Sequence, residues 1–274
     1  MNFDTSINFI EANGSSLEKA RLQCILYATS PQQDVIQGFV GLQNADGGFP
    51  FGMAQGNLST INETTVALWW MEELGLLTSP TASQAFTYLL ATQQGDGSWD
   101  EDPQLAHYDL PPWIRLGDLK TRLYLSAYAT YWLAVGGYQT LPAFRKAIHF
   151  LLRHQDTTGK FLGYLHNTWI ATGVFLLAGN RYTKIADLGL QSLSSRSLPE
   201  WDDSQIAWAL DCLNRGGLPR DHPFIEACLG ELFCRQKPDG SWASEDGETF
   251  AVGATIQVLK VLKRYGLITG SWDG

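Results

Sequence analysis

The chain has 274 residues, 45% of them hydrophobic, and a formal net charge of −9 at pH 7. That acidic balance argues against a nucleic-acid partner and against electrostatic docking on anionic lipid, while it leaves open a weak apolar contact with a membrane surface. No stretch has the uninterrupted apolar length of a membrane span, the start Met1-Asn2-Phe3-Asp4-Thr5 lacks a signal-peptide pattern, and a cytoplasmic protein with one large core is expected.

Helices are expected in succession. Residues 5–12 read as a short helix, broken by Asn13-Gly14-Ser15; Ser15 or Ser16 then caps a helix over 17–28. Pro31 opens the next, which ends at Gln43. Residues 50–59 are a loop rich in Gly, Asn and Ser, and Thr60-Ile61-Asn62-Glu63 has the capping-box pattern that starts a helix to Gly75. Pro80 opens another, ending at Gln93. Residues 100–120 form the longest connection. The helix from Thr121 to Val135 is dense in aromatics (Tyr124, Tyr128, Tyr131, Trp132), and Gly136-Gly137 ends it. Further helices are expected over 142–155, 167–178, 182–194, 204–214, 223–236 and 249–265, the 204–214 helix capped by Asp202 or Asp203. No strand is expected. The four cysteines, Cys24, Cys212, Cys228 and Cys234, form no C-x-x-C pair and are expected to be reduced in apolar helical surroundings.

One pattern recurs. Gln43, Gln93, Gln155 and Gln236 are each followed four residues later by Gly and six residues later by an aromatic: Phe49, Trp99, Phe161 and Trp242. A worn fifth copy has Ser195, Pro199 and Trp201 at those places. The aromatics are spaced by roughly 40 to 60 residues, the period of a repeat architecture. Each Gln closes an apolar helix, and Gly suits the left-handed residue of a turn. Helices before each Gln carry polar faces, and those after each aromatic are poorer in charge and belong inside. About twelve helices alternating outer and inner describe an all-α fold, an (α/α)6 barrel spanning residues 1–274 as one domain. An open solenoid is the alternative, and it would have more uniform repeats and polar caps.

Gln93-Gln94-Gly95-Asp96-Gly97-Ser98-Trp99 and Gln236-Lys237-Pro238-Asp239-Gly240-Ser241-Trp242 resemble the QW repeats of squalene–hopene and oxidosqualene cyclases, which also occur in protein prenyltransferase β-subunits. The resemblance covers nearly the whole chain, and there is room for one barrel. It implies a single-domain class II terpene cyclase of the merosterolic acid synthase type, which acts on a prenylated aromatic acid. Such an enzyme protonates an alkene or epoxide of a polyprenyl chain and needs no metal or organic cofactor. Its acid must stay protonated, which an apolar cavity ensures; the cations that follow are held by aromatic faces.

The family's Asp-x-Asp-Asp motif is absent. The nearest string is Glu200-Trp201-Asp202-Asp203, so Asp202 and Asp203 are alternative acids, each also well placed as a helix cap. Within 100–120, Asp109 is the one carboxylate in an apolar run that holds Pro111, Pro112 and Trp113; it is the leading candidate for proton donor, with His107 and Tyr108 assisting. Asp100, Glu101 and Asp102 read as an exposed acidic tip. Trp69, Trp113, Tyr124, Tyr128, Trp169, Trp208 and Phe250 are candidates for cation stabilisation, each competing with a plain core role. Asn62 and Asn167 either contact polar substrate atoms or cap helices. Arg115, and beside it Lys120 and Arg122, are candidates for a substrate carboxylate.

Two rivals remain. A protein prenyltransferase β-subunit needs zinc, but Asp211-Cys212 and the histidines, His107, His149, His154, His166 and His222, form no ligand pattern, so no metal is expected. A non-catalytic toroid that binds a lipid or a protein would lack a plausible acid at its inner helix ends.

Overall fold

The structure, a computed structural model, describes residues 1–268. Twelve α-helices occur among the described residues: α1 (Phe3–Asn13), α2 (Ser16–Tyr27), α3 (Gln33–Val40), α4 (Ile61–Glu73), α5 (Pro80–Thr92), α6 (Leu119–Val135), α7 (Pro142–Leu152), α8 (Leu165–Leu177), α9 (Thr183–Ser194), α10 (Asp203–Arg215), α11 (Pro223–Arg235) and α12 (Ala251–Arg264). Their order follows the expected one. The loop at 50–59 differs: β1 (Phe49–Pro50) and β2 (Ser59–Thr60) form a short antiparallel ladder, with Phe49 opposite Thr60. No helix among the described residues is long and apolar enough to cross a membrane. The cysteines are free, as expected, but Cys234 is exposed rather than packed in the core.

Contacts divide the chain into two compact units, Gln37–Leu193 and the union of Met1–Ile36 with residues 194–268; α3 spans the division. In the first unit, α6 packs against α4 on one side and α8 on the other, with α7 behind it. Of the 17 residues of α6, 13 are buried, so it is covered nearly all round. The outer helix α7 buries Phe144, Ala147, Ile148 and Leu151, one face at helical spacing. In the second unit, α12 packs against α10, α2 and α1, and α10 carries α11. Here α12 buries an unbroken run from Ala254 to Leu262.

The repeated glutamines hold these layers together. Gln93 Nε2 donates to the Gly97 carbonyl of its own turn at 3.1 Å and to Ala143 O, in the first turn of the next outer helix, at 2.9 Å. Gln43 does the same to Gly47 O and Thr81 O, and Gln155 to Gly159 O and Ile185 O. In the other unit Gln236 reaches Asn2 O at 2.8 Å and Ser6 Oγ at 2.7 Å. Gly97 lies at φ +93°, and a Cβ there would collide with the Lys146 carbonyl, so the turn presses backbone to backbone on α7. The aromatic that follows is fully buried: Phe49, Trp99, Phe161 and Trp242 are each 0% exposed. The backbone N–H of each donates to a hydroxyl of an inner helix: Thr64, Ser126, Thr168 and Thr255 respectively. One repeat therefore joins two outer helices and one inner helix. In the worn copy Arg235 takes over, donating to Leu198 O and Trp201 O from the end of α11.

Candidate active site

The N-terminal ends of α4, α6 and α8 gather an aromatic cluster within the 37–193 unit. Tyr124, on the second turn of α6, is buried and its hydroxyl donates to Asn62 Oδ1 on the first turn of α4 at 3.3 Å. Trp113 meets Tyr124 edge-on at 5.5 Å, Tyr128 lies 6.2 Å from Tyr124, and His166 lies 6.3 Å from it. His166 packs at 4.4 Å against Trp169, the rings inclined by 51°, and Trp169 is fully buried. Asn167 donates Nδ2 to Leu162 O, while its buried Oδ1 accepts no hydrogen bond among the described residues. Trp69 stands one helical turn before Glu73 and donates Nε1 to that carboxylate. The sequence candidates Asn62, Tyr124, Asn167 and Trp169 thus share one end of three helices, with Trp113 of the 100–120 connection and Tyr128, midway along α6, packed against Tyr124. His166 was not singled out by sequence; its place as second residue of α8, matching Asn62 in α4, is the signal that would have found it.

The connection over 100–120 behaves in two ways. Leu105 and Ile114 turn inward and are buried, and Trp113 is half-buried against Tyr124. Asp109 and His107 are exposed, and Asp109 makes no side-chain hydrogen bond or ion pair among the described residues. The apolar setting expected for Asp109 is therefore not there; a carboxylate without partners stays in water. Tyr108 makes no hydrogen bond with Asp109 among the described residues: its hydroxyl accepts from the Leu58 N–H and its ring meets Phe51 edge-on.

The carboxyl that does enter the core is Glu101, expected on an exposed tip and only 4% exposed. Its two oxygens accept from the Ile61 and Asn62 N–H groups at 2.8 and 2.9 Å, the free donors of the first turn of α4. Burial pushes its pKa up to about 8, against the pull of those two hydrogen bonds. Asp100 is half-buried with its carboxylate on the Gly117 N–H, and Asp102 is the exposed member of the three.

The basic candidates separate. Arg122 is committed to Asp96, Ser98 and Gln94 in the adjoining turn. Arg115 and Lys120 are exposed and unpaired among the described residues, beside Trp113 and Tyr164.

The remaining candidates lie in the other unit. Asp202 is the exposed N-cap of α10, with its N–H on Gln205 Oε1. Asp203 is 4% exposed, accepts from the Ala243 N–H at 2.8 Å and pairs with Arg235 at 3.3 Å. Through these two contacts Asp203 brackets the start of α10 to the end of α11 and to the segment after Trp242. Trp208 is half-buried, and Phe250, expected in a cavity, is 57% exposed just before α12. Asp211 is tied to Lys260 and Arg264. Among the described residues no three His, Cys, Asp or Glu side chains stand close enough to share a metal ion.

Alternating inner and outer helices, tied by repeated turns and opening on aromatics at the inner N-termini, are the architecture of the α/α toroid found in terpene cyclases. The structure of the type II terpene cyclase MstE from Scytonema is similar over 97% of this chain and 98% of that one, with a TM-score of 0.62 and 16% identity. A single-substitution variant of that cyclase in complex with its substrate, geranylgeranyl dihydroxybenzoate, gives a TM-score of 0.63 at 17% identity over 97% of each chain. A protein from Actinoplanes matches with a TM-score of 0.66 at 18% identity, over 96% of this chain and 98% of that one. The ent-copalyl diphosphate synthase from Streptomyces platensis matches 92% of this chain with half of its own, at a TM-score of 0.59 and 16% identity. The chain has the fold of these proteins. No protein-family model and no curated protein sequence matches it.

Proposed function

We propose that the protein is a class II terpene cyclase, a single cytoplasmic barrel domain that cyclises the polyprenyl chain of a prenylated aromatic acid. The observation that carries this reading is the aromatic cluster of Trp113, Tyr124, Tyr128 and Trp169 around the inner helix ends of a cyclase fold. Each ring face offers a developing cation roughly 0.5–2 kcal/mol, more where water is excluded. The substrates and products named for MstE support the substrate class.

Glu101 is proposed as the acid in place of Asp109. It is protonated at neutral pH, and the residue it brackets, Asn62, touches Tyr124. Its proton adds to one carbon of the terminal alkene or to the epoxide oxygen. The alkene electron pairs then close rings in sequence, and loss of a C–H proton from the last cation, or its capture by a substrate hydroxyl with loss of that proton, leaves an isomer. After donation the two N–H groups at the start of α4 hold the glutamate anion. A second reading, a non-catalytic toroid that binds a lipid, is favoured by the exposure of Asp109 and by the engagement of both Glu101 oxygens with backbone.

The test is incubation with geranylgeranyl dihydroxybenzoate and, separately, squalene, with products read by mass spectrometry and NMR. The expected outcome is a cyclised product of unchanged mass from the former. Glu101→Gln is expected to bind substrate and lose turnover by at least about a hundredfold, while Asp109→Asn and Asp203→Asn keep it. A dead, folded Asp109→Asn restores Asp109 as the acid. Binding without product in the wild type supports the second reading.

A further inference from the structure

Beside the aromatic cluster lies a cleft of about 330 Å3, lined by Pro112, Trp113, Arg115, Asp118, Lys120 and Tyr164. Its walls are fixed. The Trp113 carbonyl accepts from the Tyr164 hydroxyl at 2.9 Å and from Thr121 Oγ1 at 3.1 Å, and the Arg115 N–H donates to the same Thr121 oxygen at 3.0 Å. The Asp118 N–H closes back on Arg115 O, and the Asp118 carboxylate caps α6. Two cations face one carboxylate here, which leaves one positive charge, and neither Arg115 nor Lys120 is paired among the described residues. Trp113 belongs to both places: it lines the cleft and meets Tyr124 edge-on.

We propose that this cleft holds the ionised carboxylate head of the prenyl substrate between Arg115 and Lys120, with Tyr164 beside the head and Trp113 as the post past which the prenyl chain turns toward Tyr124. The assignment rests on the cyclase reading for its substrate. One surplus positive charge matches a single carboxylate; a diphosphate carries more negative charge than the cleft balances. A planar guanidinium can take a carboxylate through two parallel hydrogen bonds, and Lys120 adds a point charge. The head stays at the wet rim while the chain is dry. That division is needed because an ionised carboxylate within the cluster would trap the cations that must migrate through it.

Equilibrium binding by calorimetry separates this from the cyclase reading. The probes are geranylgeranyl dihydroxybenzoate, its carboxyl methyl ester and geranylgeranyl diphosphate, each titrated into wild type, Arg115→Met, Lys120→Met and the double variant. Both side chains are exposed, so the variants should fold, and circular dichroism checks it. Wild type is expected to bind the acid about tenfold more tightly than the ester, each single variant to narrow that gap, and the double variant to abolish it. An acid-to-ester ratio unchanged in the double variant overturns the cleft assignment, and so does diphosphate binding tighter than the acid. Turnover is read in the same samples. Binding that follows the expected ratios without any product sinks the cyclase reading and leaves the head-group site standing; product with unchanged ratios sinks the site alone.

Discussion

At the scale of single residues, Glu101 concentrates the most chemistry. A carboxyl placed at a helix N-terminus normally favours its anion. Here burial outweighs that preference and lifts the pKa from 4.5 to about 8. The consequence for stability has a definite sign. Below about pH 4.5 the group is protonated folded and unfolded, and its contribution is fully present. Between that value and about 8 the unfolded chain ionises while the folded one does not, so stability falls as pH rises and the contribution is gone above about 8. Activity should fall over the same upper limb, because the proton to be donated is lost. Glu101→Gln should flatten the stability slope between pH 5 and 8, measured by urea unfolding at several pH values. It should also lose about 1–2 kcal/mol at pH 6, since an amide NH2 cannot accept from one of the two N–H groups. A slope unchanged by the substitution would mean that another group carries it. Sequence could not have shown this residue. Glu101 sits between Asp100 and Asp102 and reads as one of three solvated charges; what buries it is the start of α4, 40 residues earlier in the chain.

At the scale of elements, the repeat was legible and its partners were not. The spacing Gln, Gly, aromatic is local and occurs four times, so the turn and the buried ring were readable. Helix identities followed from caps and apolar periodicity, with ends off by a few residues; α3 stops at Val40 because the chain turns there to deliver the Gln43 side chain. The second acceptor of each glutamine lies 30 to 50 residues ahead in the 37–193 unit, beyond what a local pattern encodes. The geometry gives a paired prediction. Gly97→Ala must both hold alanine at φ +93° and push back the Lys146 carbonyl, whereas a Cβ at Gly95 meets nothing within 4 Å. Gly97→Ala should cost about 3 kcal/mol or more, and Gly95→Ala less than about 0.5 kcal/mol, in denaturant midpoints. Equal effects would show that the turn does not bear on α7.

At the scale of the whole chain, the repeat that differs from a solenoid is the last one. In an open array the first helix has a neighbour on one side only, and terminal units fray. Here the turn after α11 lies against α1: Gln236 holds Asn2 O and Ser6 Oγ, Ser6 Oγ donates to the Gly240 carbonyl at 2.7 Å, and Gln236 Oε1 accepts the Asn2 N–H at 2.7 Å. These bonds span 230 to 234 residues of sequence. They treat α1 as the outer helix that follows α11, just as α7 follows α5, while α1 also packs on α12. Loop closure over so long a separation is entropically costly and is offset only if the clasp forms together with that packing. Gln236→Ala should therefore act at a distance in sequence. Amide hydrogen exchange should rise first in Phe3–Asn13, by about tenfold to a hundredfold, while α6 and α8 keep wild-type protection. The same substitution at Gln93 should leave Phe3–Asn13 protected and loosen α5 and α7 instead. If both variants exchange alike throughout, stability is shared globally and the clasp has no local hold on the first helix.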